Sequence, residues 1–179
     1  MKLSLNKHLA LVGLPGSGKS TIGKHLARRW GLPLIDVDTA IEQRIACSIR
    51  EYFAAEGEAA FRDVEAQVLA ELLQAERQYC ILATGGGAVL RESNRQHLLE
   101  KAHVVYLSAS PHELARRLQK DTQRPLLQVD NPVKRMLELH AQRDPLYREV
   151  AEFTVPSGGL SAVQVAQRVA MQLELALGM

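Results

Sequence analysis

Cysteine is scarce in this chain: there are two, Cys47 and Cys80, and they do not form a C-x-x-C pair. Thiols this few, one in helix-like and one in strand-like surroundings, exclude a disulfide scaffold and are expected to be reduced packing residues. The six histidines are scattered, which removes a zinc site built from clustered ligands. Excess charge of either sign is missing as well. A formal net charge of +2 gives no general reason to expect nucleic acid or a membrane surface as partner, so binding has to rest on local charges. Charged or polar residues interrupt every apolar stretch, and the opening "MKLSLNKHLALVGLPG" lacks an apolar core long enough for a signal segment. A cytoplasmic monomer is expected. No repeat, low-complexity tract or linker interrupts the 179 residues, and the simplest organisation is one domain over residues 1–179.

What the chain does have is alternation. The apolar runs "HLALVG", "LPLIDVD", "CILATGGG", "HVVYLSA" and "EFTVP" read as strands separated by stretches of helical period. That order predicts an α/β fold with a parallel sheet covered on both faces. One long, weakly periodic connection, "QKDTQRPLLQVDNP", is the candidate lid.

The clearest motif is Gly13-Leu14-Pro15-Gly16-Ser17-Gly18-Lys19-Ser20, which fits G-x-x-x-x-G-K-[ST] and continues into Thr21. It follows the strand "HLALV" and opens the helical run "STIGKHLARRW". Glycines let backbone N–H groups face phosphate oxygens, and a helix N-terminus adds the positive end of its dipole. Lys19 then reaches the β- and γ-phosphates and the Ser20 hydroxyl suits Mg²⁺, so Gly16, Ser17, Gly18, Lys19, Ser20 and Thr21 are the expected nucleotide contacts.

Mg²⁺ usually takes a carboxylate besides the hydroxyl and phosphates. The strand "CILAT" ends in Thr84 and glycine, so the carboxylate is sought in Asp36-Val37-Asp38, at the C-terminal end of the second strand. Strand alternation would turn both acids to one side, one toward the metal's water shell and the other toward the phosphoryl acceptor. Asp38 as a helix cap is the structural alternative.

Four further features concern the acceptor. In the helix "GEAAFRDVEAQVLAELLQAERQ", Phe61, Val64, Val68, Leu69 and Leu72 form an apolar stripe that contains Glu65, with Arg62 at its margin. Glu65 can hold Arg62 and leave part of the guanidinium for an anion, although a purely structural ion pair is equally available. Arg143 in "HAQRDPLYREV" is expected near a helix end set by Pro145, where it either satisfies carbonyls or joins Arg62 in a clamp for a substrate carboxylate. Gly85, Gly86 and Gly87 admit a ligand close to backbone N–H groups, or else form a turn needing positive φ. Arg124 in the candidate lid can close over the γ-phosphate, or is a solvated loop arginine.

Taken in order, "GLPGSGKST", "LIDVD" with "AIEQR", "SIREYF", "GEAAFRDVE", "TGGG", "QRPLL" and "QRDPLYREVA" make the chain resemble the bacterial shikimate kinase family over nearly its full length. The resemblance implies a three-layer P-loop kinase fold of the nucleoside-monophosphate-kinase type, with a five-stranded parallel sheet, a substrate-binding region about residues 37–66 and a lid near residues 119–131. It also implies ATP- and Mg²⁺-dependent phosphorylation of the shikimate 3-hydroxyl, on the route to aromatic amino acids. On matching positions, Lys19 and Ser20 would serve phosphate and metal, Asp36 the metal's water shell, and Asp38 the shikimate hydroxyls. Arg62, Arg143, Gly86 and Gly87 would be the other substrate contacts, with Arg124 on the phosphates and Arg117 against adenine. The segment "TVPSGGLSA" after the last strand departs from the family in having no arginine, so no side-chain adenine contact is expected there. Two rivals stay open: a kinase for another small acid or polyol such as gluconate, and a regulatory module that binds ATP without turnover.

Overall fold

The computed structural model describes residues 5–75, 78–119 and 129–178. Its elements run β1 (His8–Val12), α1 (Lys19–Trp30), β2 (Leu34–Asp36), α2 (Val37–Ile45), α3 (Ile49–Gln74), β3 (Ile81–Ala83), α4 (Glu92–Lys101), β4 (Ala102–Ser108), α5 (Pro111–Leu118), α6 (Pro132–Val150), β5 (Phe153–Pro156) and α7 (Ala162–Ala176). The five strands form one parallel sheet in the order β2-β3-β1-β4-β5. The central strand β1 is buried along its whole length, as a strand covered on both faces must be.

Alternation along the strands sorts their side chains into two cores. Leu9 and Leu11 join Ile81, Val105 and Leu107 beneath α1 and α7, where Ile22, Leu26, Val169 and Leu173 are buried. Ala10 and Val12 turn to the other face, with Leu82, Val104 and Tyr106, and meet Phe61, Leu69, Leu98, Leu139 and Tyr147. Each fully buried leucine contributes roughly 2 kcal/mol of transfer free energy, which fixes strand register against a one-residue slip. Both cysteines are free; burial pushes the Cys80 thiol up to about 11, as suits a packing residue.

The topology also locates a crevice. From β1 the chain goes two places outward to β2, returns to β3, and then crosses to β4 on the other side. A switch point of this kind opens a cleft beyond the carboxyl ends of the strands.

Three local expectations need correction. β2 stops at Asp36, and Asp38 lies in the first turn of α2, so strand alternation is not what relates the two acids. Asp36 itself is the helix cap, accepting a hydrogen bond from the Thr39 N–H, and ending the strand there satisfies the new helix's open donors. Second, α6 continues through Pro145 to Val150, so Arg143 sits inside a helix and not at its end. Proline's fixed φ is helical, and burial of Leu139, Arg143, Tyr147 and Val150 along one face outweighs the lost backbone hydrogen bond. Third, the helix expected from Gly57 onward is preceded by residues 49–56, with Gly57 at φ 84° breaking the run. Along its buried face Leu73 replaces the expected Leu72, which is only partly buried, as is Val64.

Candidate active site

Beyond β1 the chain turns through the glycine loop into α1, and that helix is left open at its start. Its N-cap is Gly18, with no side-chain cap and no acidic residue in the first turn, whereas α2, α3, α6 and α7 are each capped by a side chain. Gly16 (φ 81°) and Gly18 (φ 93°) hold backbone conformations that side chains resist. Open N–H groups in such a loop form an anion cradle. Lys19 Nζ donates to the Gly13 carbonyl at 2.7 Å and the Leu14 carbonyl at 3.0 Å, which aligns the ammonium along the loop. Ser17 is buried beneath it.

At the mouth of the loop the Ser20 hydroxyl donates to Asp36 Oδ2 at 2.6 Å. A cavity of about 300 Å³ opens here, lined by Gly16, Gly18, Lys19, Ser20, Thr21, Asp36, Asp38, Thr84, Gly85 and Gly86. Thr84 is tied to the sheet, since its hydroxyl donates to the Leu11 carbonyl at 2.9 Å. Among the described residues no group of three or more His, Cys, Asp or Glu side chains could hold a metal alone. The oxygen pair of Ser20 and Asp36 fits Mg²⁺, a hard cation that keeps waters and shares its shell with phosphates.

The arginines stand behind the glycines, outside the cavity's lining. Arg62 Nη1 donates to Glu65 at 2.7 Å and Arg62 Nη2 to Glu58 at 3.3 Å. Burial pushes the Glu65 carboxyl up and the Asp38 charge adds to this, while Arg62 and Arg143 pull it down. Arg143 is 2% exposed and, among the described residues, makes no ion pair. Nε of both Arg62 and Arg143 is buried without a hydrogen-bond partner.

None of Gly85, Gly86 and Gly87 has positive φ, so a strained turn does not explain them. Close approach does. A Cβ on Gly85 would stand 2.8 Å from Asp38 Oδ1, one on Gly86 would stand 2.9 Å from Pro15 Cδ and 3.3 Å from Arg143 Nη1, and one on Gly87 would overlap the Arg62 guanidinium. The three glycines are the space into which the acids and arginines pack.

Thus Asp36, Asp38, Lys19, Ser20, Gly85 and Gly86 meet at one cavity, whereas Gly87 is not among its lining residues and lies against Arg62, with Arg143 beside Gly86. Arg117, on α5, donates to the Gly16 carbonyl at 3.2 Å and lies on the phosphate-loop side. Arg124 and most of the candidate lid lie outside the described residues. Sequence reasoning missed Pro15, which packs on Gly86, and Tyr147, whose hydroxyl donates to the Gly86 carbonyl. Tyr147 was hidden by ending α6 at Pro145; on a continuous helix it is the i+4 neighbour of Arg143.

A parallel sheet with this loop and a cavity backed by these arginines defines the class: a P-loop protein built to move a phosphoryl group from a nucleotide to a small acceptor. The family model for shikimate kinase matches residues 15–174. A shikimate kinase of Paracidovorax citrulli is 57% identical over 167 residues, covering 93% of this chain and 91% of its own. One from Ralstonia nicotianae is 50% identical over 165 residues, covering 92% and 86%. The solved structure of an Acinetobacter baumannii shikimate kinase in complex with shikimate superposes with a TM-score of 0.89 at 41% identity, covering 96% of this chain and 93% of that one. The chain belongs to the shikimate kinase family.

Proposed function

We propose that this protein transfers the γ-phosphoryl group of ATP to the 3-hydroxyl of shikimate, giving shikimate 3-phosphate and ADP. The observation that carries the acceptor assignment is Arg143: a guanidinium 2% exposed, with an unpartnered Nε, beside the equally orphaned Nε of Arg62. Arg62 and Arg143 share one buried carboxylate, Glu65, which among the described residues is hydrogen-bonded to Arg62 alone, so the pair has capacity left for an anionic ligand. The phosphate loop already serves the nucleotide, which leaves the acceptor's carboxylate. Family membership, and a relative bound to shikimate, support that identity.

The chemistry follows from what these residues can do. Lys19 and the open N–H groups of α1 stabilise charge on the phosphates. Arg62 and Arg143 grip the carboxylate and thereby orient the ring, while the Gly86–Gly87 backbone lies against it. Asp38, on the cavity wall, orients the attacking hydroxyl and accepts its proton. A bond forms from that oxygen to the γ-phosphorus as the bond to the β–γ bridging oxygen breaks, and ADP leaves with the bonding pair. Ser20 and Asp36 would hold Mg²⁺, which would supply neutralisation of the phosphate charge. Arg117, which reaches the phosphate loop at Gly16, would lie against adenine, and Arg124 would meet the phosphates from the lid. Positioning and electrostatics carry most of the rate in such transfers.

The test is an isotope-free product assay: mass spectrometry of the shikimate product after incubation with ATP and Mg²⁺. A single added phosphate at the 3-position supports the reading; phosphate on another position, or release of inorganic phosphate alone, overturns it. Asp38→Asn in a folded protein should lower turnover by about 10²-fold or more, and near-normal turnover would remove the carboxylate from the mechanism.

A further inference from the structure

Tyr147 takes no part in the chemistry above, yet it is completely buried and its polar end reaches the acceptor wall. Its hydroxyl donates to the carbonyl of Gly86. The Arg143 guanidinium lies one turn earlier on α6, where the phenol's field opposes the lowering of its pKa by burial, and its Nη1 lies beside Gly86. The direction of the Gly86 bond is forced. A carbonyl can only accept, so the phenol donates to Gly86 and keeps its lone pairs for the Arg143 donors.

That relay constrains two acceptor contacts at once. A trans peptide carries its C=O and the next N–H on opposite sides, so anchoring the Gly86 carbonyl toward α6 turns the Gly87 N–H the other way. The same phenol oxygen faces the Arg143 side chain, whose buried Nε has no hydrogen-bond partner and is left for a ligand. The ring is itself fixed by Tyr106, at a centroid distance of 4.9 Å and a tilt of 30°. Tyr106 spends its own hydroxyl away from the site, on Asp144 Oδ1 at 2.7 Å.

We infer that Tyr147 is a positioning residue for the phosphoryl acceptor: through one hydroxyl it sets both the Arg143 guanidinium and the Gly86–Gly87 peptide, and so governs acceptor affinity and not nucleotide affinity. The inference rests on Arg143 binding the acceptor, as proposed above.

Tyr147→Phe deletes the hydroxyl and keeps the ring stack. The shikimate KM should rise about tenfold, roughly the worth of one net hydrogen bond, while the ATP KM stays within about twofold. Tyr106→Phe is the structural control: it deletes a hydroxyl from the same stack and should leave the shikimate KM unchanged. Should Tyr147→Phe not fold, 4-aminophenylalanine in place of Tyr147 is nearly isosteric; it keeps the donor to Gly86 but accepts poorly from Arg143, and the shikimate KM should still rise. An unchanged shikimate KM in the folded Tyr147 variants, or an equal rise in Tyr106→Phe, overturns the positioning role. If the unmutated protein fails to phosphorylate shikimate at all, the functional reading fails instead, and the two failures are told apart in one assay series.

Discussion

The two sides of the cavity are built by different means. The phosphate side comes from one continuous stretch, residues 13–21, and is built to recognise its ligand with backbone: uncapped N–H groups, three glycines at positive φ, and a lysine tethered within its own loop. The acceptor side is gathered from α2, α3, the loop after β3, and α6, and works with side chains. The first is stable through local hydrogen bonds and helix geometry. The second holds crowded buried charge, with two guanidinium Nε atoms left without partners and a Glu65 carboxyl pushed up by burial. Backbone recognition can be carried on any P-loop sheet, whereas a wall of buried charges fits one kind of acceptor. On the proposed reading, specificity resides on the assembled side.

That contrast can be broken most forcefully at its shared edge. Lys19→Met should lower kcat/KM by about 10³-fold with little change in shikimate binding, since a donor aimed at transition-state charge is lost. Arg143→Met should act in the opposite sense, raising the shikimate KM about 100-fold and leaving the ATP KM nearly unchanged, as measured by steady-state kinetics. Gly87→Ala tests the packing account: its Cβ falls on the Arg62 guanidinium, so the shikimate KM should rise by on the order of tenfold, with no penalty from φ. Asp36→Asn should raise the Mg²⁺ concentration for half-maximal activity by about tenfold, read from a metal titration at saturating ATP.

The smallest effect lies outside the cavity. Asp144 accepts hydrogen bonds from Tyr106 and Arg148, and these overcome the burial that would raise its carboxyl, holding it below its ordinary value. A carboxyl lowered in the folded state stabilises above its unfolded pKa and stops doing so as pH falls through the folded one. Asp144→Asn should therefore cost about 1 kcal/mol near neutral pH, converge with the unmutated protein as pH falls through the lowered carboxyl's pKa, and leave turnover alone, as read by thermal unfolding across pH.

Legibility in the sequence follows the same division. The phosphate loop could be read outright, because contiguous residues with a strand before and a helix after define their own geometry. The five strands were visible as apolar runs between helical periods, and burial on both faces explains why those runs are nearly continuous. Asp36 and Asp38 were found by seeking a missing carboxylate, but their relation was misjudged, since the strand yields to a helix between them. Pro145 misled in a similar way: a local preference gave way to burial of one helical face, and Tyr147 disappeared from view with it. The pairing of residues 62 and 143 was one of two open readings of the residues, and the resemblance to a family favoured it. No periodicity connects two helices that meet across a glycine loop, and contacts at that separation are a property of the fold.

The central claim, that the buried arginine wall selects shikimate, is tested most directly by ADP release from ATP and Mg²⁺ with shikimate, quinate, gluconate or no acceptor. Stimulation by shikimate, lost at ordinary concentrations in Arg143→Met and restored by raising shikimate, is the predicted result. Equal stimulation by gluconate, or a shikimate response that survives Arg143→Met unchanged, would contradict it.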